Sequence, residues 1–163
     1  MDRLLGGWQI AAVTTFKSGL PFTPTVSGDR ANTGAGGQRP NVNGAPFAPH
    51  NLSCWFYTSA NPTCKALFPN STDVFTVPAQ YTIGTGGRNI LRADNLIQVD
   101  FSVLKDIPLT ESTRLQFRSE FFNIANHPVF NAPGATVDQG SAGQVSGTLN
   151  SNRIIEFALK LIF

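Results

Sequence analysis

The sequence predicts an all-β fold: an antiparallel meander of about four long strands, each long enough to cross a lipid bilayer. Three observations carry that expectation. Several segments alternate apolar and polar residues with a period of two. Charged residues make up 13% of the 163-residue chain, about half the usual share, while Gly, Pro, Asn, Thr and Ser are plentiful. One connection between alternating segments is very short and the two others are very long.

The first segment, 7 to 18, puts Trp8, Ile10, Ala12 and Phe16 on one side and Gln9, Thr15 and Lys17 on the other. Ala11 and Val13 blur the pattern, and Pro21 marks a bend or an edge position if the strand continues to Phe22 and Thr23. The second, 95 to 106, sets Ile97, Val99, Phe101 and Val103 against Gln98, Asp100, Ser102 and Leu104. The third, 113 to 124, sets Leu115, Phe117, Ser119 and Phe121 against Arg114, Gln116, Arg118 and Glu120. The fourth, 153 to 163, sets Ile155, Phe157, Leu159, Leu161 and Phe163 against Ile154, Glu156, Ala158, Lys160 and Ile162. In the last three segments, Ser119 alone interrupts the apolar faces. Such alternation describes strands with one apolar and one polar side.

Length and loops then separate a membrane sheet from a soluble sandwich. Residues 153 to 163, at about 3.3 Å each and tilted by about 45°, cover roughly 26 Å, the height of the apolar band on an outer-membrane barrel. The turn Asp106 to Ser112, holding Pro108, is short and polar, whereas 28 to 94 and 127 to 152 are long. Long structureless loops count against a compact soluble domain, but barrels join short periplasmic turns to long extracellular loops. The expected path runs up, down, up and down, with both chain ends on the periplasmic side. Trp8, Phe16, Phe121, Phe122 and Phe163 fall near the edges of the band, where aromatic girdles sit.

The apolar face of the third strand must be the lipid face. Shifting it by one residue exposes Arg114 and Arg118 to hydrocarbon, at about 2 to 4 kcal/mol each near the midplane. Asp100, Arg114, Gln116, Arg118, Glu120, Glu156 and Lys160 are then lumen-facing. There they serve as solvated side chains, with opposite charges free to pair across strands, or act directly in substrate passage.

Other classes lose support. No apolar run approaches the roughly 18 to 20 residues of a transmembrane helix, and residues 1 to 7 lack the pattern of a secretion signal. The chain is therefore expected to be a segment of a longer protein. Its net charge of +2 is scattered, so no nucleic acid is expected as a partner. No cofactor is expected. The chain is not expected to be an enzyme, because no acid, base and nucleophile set stands out.

Particular stretches resemble a known family. They are Gly7-Trp8-Gln9-Ile10, Ser18-Gly19-Leu20-Pro21-Phe22, Gly87-Arg88-Asn89-Ile90-Leu91-Arg92, Leu115 through Phe121-Phe122-Asn123-Ile124-Ala125-Asn126-His127-Pro128, and Arg153 to Phe163. In this order, over nearly the whole chain, they are similar to the C-terminal end of Oar-like TonB-dependent receptors. The resemblance implies a plugged barrel of about 22 strands that imports scarce nutrients across the outer membrane of a Gram-negative bacterium. Residues 1 to 163 would be the C-terminal barrel segment, since the plug and earlier strands are missing. Implied partners are outer-membrane lipid, the remaining strands and plug, the barrel assembly machinery, and the TonB complex through the plug alone. Ile155, Phe157, Leu159, Leu161 and Phe163 look like the assembly signal, a strand edge captured by β-augmentation with pockets for alternate side chains. A secreted β-sandwich that binds glycans is the competing reading, suggested by the Asn, Gly, Thr and aromatic content of the loops.

Several features have plain readings. Cys54 and Cys64 do not match zinc-knuckle spacing, and no His flanks them. A loop disulfide, contributing on the order of 2 to 3 kcal/mol, is favoured over two free thiols. His50 and His127 sit beside prolines in loops, as surface residues. The glycine-rich runs 34 to 37 and 84 to 87 lack the Lys-Ser/Thr ending of a phosphate loop and read as flexible loop or turn. Two Asn-x-Ser/Thr matches, at Asn51 and Asn70, carry little meaning.

Overall fold

A computed structural model describes residues 5 to 44 and 51 to 163; His50 and the first four residues lie outside them. The elements in chain order are β1 (Trp8–Lys17), β2 (Pro21–Phe22), β3 (Asn41–Val42), a short helix α1 (Pro62–Leu67), β4 (Phe75–Thr76), β5 (Leu91–Arg92), β6 (Leu96–Pro108), β7 (Arg114–Phe122) and β8 (Ile154–Ile162). The chain divides into two compact units. One contains residues up to Lys17 with 96 to 129 and 149 to 163, and the other contains 18 to 95 with 130 to 148.

The first unit is a four-stranded antiparallel sheet in the order β1-β6-β7-β8, the all-β meander that the alternation predicts. Its strands run for 10, 13, 9 and 9 residues. β6 is longer than expected: it continues through Pro108, which pairs with Arg114 as the last position of the ladder. Proline is tolerated there because a terminal position asks least of the missing N–H. The turn itself is shorter, closed by Leu109 and Thr110 N–H groups donating to the Thr113 carbonyl.

At the other end of β7, Asn123 takes a positive φ of 50° and ties off the strand. Its backbone N–H donates to Asp100 Oδ1 at 2.9 Å, its side-chain amide donates to the His127 and Ser151 carbonyls, and its Oδ1 accepts from His127 N–H. The Asn123-to-Pro128 stretch is thus a strand stop. His127 takes part through its backbone.

The second unit corrects the expectation of loose loops. Segments 18 to 95 and 130 to 148 share one core of Val26, Trp55, Phe56, Phe75, Leu91, Val137 and Ala142. The rings of Phe56 and Phe75 meet edge to face with centroids 5.4 Å apart. Backbone bonds knit the segments together: Trp55 N–H donates to Gly143 carbonyl at 2.7 Å, Val145 N–H to Leu52 at 2.8 Å and Thr25 N–H to Ala135 at 2.9 Å. Cys54 and Cys64 form a disulfide with Cα atoms 5.1 Å apart, so it joins α1 to the turn at 51 to 54. Asn61 caps α1. Its Oδ1 accepts from Thr63 and Cys64 N–H, and its amide donates to Ser53 and Ala142 carbonyls. A fully buried Asn with its amide used on both sides costs little to bury and fixes one arrangement.

The glycines of 84 to 87 are not loose either. A Cβ on Gly84 lies 1.9 Å from the Arg39 carbonyl oxygen, so this backbone packs directly on 39 and 40. Gly28, by contrast, has a φ of +71° and open space around it.

Two carboxylates, the exposed Asp29 and the partly buried Asp138, finish loop corners. The Thr33 N–H, with further bonds from Gly34 and Gln38, holds Asp29 below the usual carboxylate range despite some desolvation. Burial pushes Asp138 up, but the Ser27 hydroxyl and backbone N–H outweigh it and hold Asp138 below that range too.

Gly84→Ala is expected to destabilise the second unit by about 2 to 4 kcal/mol, and Gly28→Ala by about 1 kcal/mol. Urea unfolding followed by Trp55 fluorescence in a Trp8→Phe background measures both, and equal costs contradict the close approach. A depressed folded pKa stabilises above the unfolded value and is lost as pH falls through the folded one. The corners at Asp29 and Asp138 are therefore expected to loosen in acid below about pH 4, and amide exchange at Ser27, Thr33 and Gly34 that stays protected at pH 2 refutes this.

Candidate membrane-facing sheet

The register decides which side chains share a face. Across β1 and β6, Ile10 pairs with Val103, Ala12 with Phe101, Thr14 with Val99 and Phe16 with Ile97. Across β6 and β7, Phe101 pairs with Phe121, Val103 with Ser119 and Ile107 with Leu115. Across β7 and β8, Leu115 pairs with Leu161, Phe117 with Leu159, Ser119 with Phe157 and Phe121 with Ile155. Directly paired residues point the same way, so the separate apolar faces merge into one surface four strands wide.

That surface is exposed. Phe16 is 71%, Ile10 69%, Phe157 68% and Leu159 67% accessible. Soluble proteins seldom present a contiguous apolar patch beyond a few hundred Å². The rings on it contact one another, Phe101 with Phe121 at 6.0 Å and Phe117 with Phe157 at 6.1 Å between centroids. No described helix is long and apolar enough to cross a membrane, and among the described residues no cluster suits a metal ion.

The opposite face gathers the charged and amide side chains. Gln116 lies opposite Lys160, Arg118 opposite Ala158, Arg114 opposite Ile162 and Glu120 opposite Glu156. Pairing of opposite charges between neighbouring strands does not occur there among the described residues. Register explains it, because no acid stands across from a base. Arg118 instead reaches two residues along its own strand to Glu120, the one ion pair among the described residues. Cross-strand support comes from an amide: Gln116 Nε2 donates to Asp106 Oδ1 at 2.9 Å. Asp100 accepts from Gln98 Nε2 at 3.1 Å and from Asn123 N–H. Phe122 pairs with Ile154 on this face, opposite in direction to Phe121.

On β8, Ile155, Phe157, Leu159 and Leu161 all lie on the apolar surface, and Phe163 follows the strand at 93% exposure.

One residue that the alternation should have flagged is Lys105. Counting two places beyond Val103 puts it on the apolar face, in register with Trp8. It is 5% exposed; its ammonium donates to the Gly6 carbonyl and lies 4.9 Å from the Trp8 ring centroid. A cation so held beside an aromatic keeps its charge out of hydrocarbon at the turn-side rim.

These features describe a sheet built for lipid on one side and water on the other. A family model described as "Outer membrane beta barrel domain" matches residues 1–156. The chain belongs to that outer-membrane β-barrel family. No match was found among curated proteins or solved structures. Membership points to the outer membrane as the location of this barrel sheet.

In phospholipid vesicles, Phe157→Arg is expected to cost the barrel sheet about 2 to 4 kcal/mol, whereas Ala158→Arg on the polar face costs less than about 1 kcal/mol. Reversible urea titration measures both, and the reverse order refutes the assignment of faces.

Proposed function

We propose that this chain forms the C-terminal strands of an Oar-like TonB-dependent transporter, a plugged barrel that takes up scarce nutrients, and that it catalyses no reaction. The observation that supports it is the four-strand surface from Phe16 to Leu161, apolar but for Thr14, Ser119 and the rim residue Lys105, with a polar face behind it. The segments around Gly7, Ser18, Gly87, Leu115 and Arg153, in the order of the receptor family, favour the TonB-dependent type over an open pore. On this reading the inner face, with Asp100, Arg114, Gln116, Arg118, Glu120, Glu156 and Lys160, borders the plug. Four strands are too few to close, since barrels of this kind start at about eight. β1 and β8 therefore pair with further strands, and Ile155 to Phe163 is read by the barrel assembly machinery of a Gram-negative host.

Two measurements test the proposal. Nitroxides at Phe117, Phe157 and Leu159 in the assembled barrel are expected to meet lipid-dissolved oxygen more than a water-soluble nickel chelate, with the order reversed at Gln116 and Lys160. Photo-crosslinkers at Gln98 and Arg118 are expected to capture a globular plug domain in outer membranes of the native host. Lipid access without a plug crosslink leaves a barrel but removes the transporter.

A further inference from the structure

The second unit contains a concavity that the barrel reading does not use. It has a volume of about 610 Å³, within the range of small-molecule sites. Thr23, Thr25, Gln38, Arg39, Ile83 and Arg88 contribute to its wall. Its charged members are both arginines, and no carboxylate lines it. Neither guanidinium has a hydrogen bond or an ion pair among the described residues.

The surrounding polar groups are already committed, which isolates the two arginines. Gln38 gives its amide N–H groups to Asp29, Thr33 and the Ala35 carbonyl, and its Oε1 accepts from Ala31 N–H at 2.8 Å. Thr23 Oγ1 accepts from Asn89 N–H at 2.9 Å, which fixes the backbone next to Arg88. Gly84 and Gly86 pack on the backbone of 39 and 40, so the segment carrying Arg39 is braced against the segment leading to Arg88. Asp29, the nearest acid by sequence to this wall, spends its oxygens on Thr33 N–H, Gly34 N–H and the Gln38 amide. Two forks of N–H donors, held on braced backbone and lacking an internal acceptor, match the geometry of phosphate and carboxylate oxygens.

We infer that this concavity is a binding site for a small organic dianion, a phosphate monoester or a dicarboxylate, held between Arg39 and Arg88. The site belongs to the second unit and does not depend on energised transport, so the proposed function can fail without it.

The test uses the full chain in detergent, with inorganic phosphate and succinate as separate probes, read by isothermal titration and by the amide resonances of Gly36 and Gly37. Saturable binding of at least one probe is expected, and whichever binds assigns the ligand class. Arg39→Gln and Arg88→Gln are each expected to weaken it by about tenfold or more. Arg30→Gln removes an exposed charge that is offset by Asp138 and should leave binding unchanged. Trp55 fluorescence confirms folding of each variant, and exposed Arg88 keeps the test valid should Arg39→Gln unfold. Absence of saturable binding by both probes overturns the inference. So does an Arg88→Gln variant that binds as tightly as the parent, or an Arg30→Gln variant that loses as much as the other two.

Discussion

The strand register of the β1-β6-β7-β8 ladder is the constraint from which the rest follows. In hydrocarbon every backbone N–H and carbonyl must find its partner within the protein. A sheet meets that demand along each interior strand, here β6 and β7, which are paired on both sides. The same ladder sets side-chain direction, because a slip of one residue inverts a strand's entire apolar set. Phe101 opposite Phe121 and Phe117 opposite Leu159 therefore secure the lipid surface and the backbone bonds at once. Arg118 and Glu120 stay off the apolar surface because that register turns them to the other face.

The second unit solves a different problem with different means. It has few regular elements, so its order comes from a core of aromatic and β-branched side chains, one disulfide and a buried amide. Phe56 and Phe75 supply apolar area. Asn61 links the helix start to the carbonyls of two distant segments, so a single side chain holds three pieces of backbone. Close backbone approaches at Gly84 replace side-chain packing where the chain doubles on itself. Loops built this way present fixed surfaces, which a recognition site needs and a floppy loop cannot provide.

How much of this was legible in the sequence depends on whether the governing pattern was periodic. The strands were, since period two runs through Ile97 to Val103, Leu115 to Phe121 and Ile155 to Phe163, and their polar partners came with them. Ile107 lay on the same count but inside a turn placed too early, at Asp106 to Ser112, where Pro108 is instead the terminal pair of β6, and Lys105 lay within the expected strand but one place past Leu104, the last residue assigned to a face. Charge pairing on the inner face was misjudged for lack of register, which alternation alone does not supply: Glu120 meets Glu156, and no neighbour is visible from one strand. The second unit was illegible as a fold, because Val26, Phe56, Phe75 and Val137 touch through contacts far apart in sequence with no shared period. A disulfide between Cys54 and Cys64 was the one part of it that spacing and composition brought forward.

The edges of the sheet carry the last step. β1 and β8 each offer one row of backbone groups with no partner in the ladder, over 10 and 9 residues. In water such an edge is a template for aggregation; in lipid each unpaired group costs several kcal/mol. Neither strand carries the usual protection: β8 has Lys160 alone among basic residues, β1 has Lys17 at its last position, and neither contains proline. Strands left undefended on a membrane-facing sheet are strands meant to be paired. On the reading proposed above, the chemistry of the two edges is answered by further strands beside them, as closure of a barrel supplies.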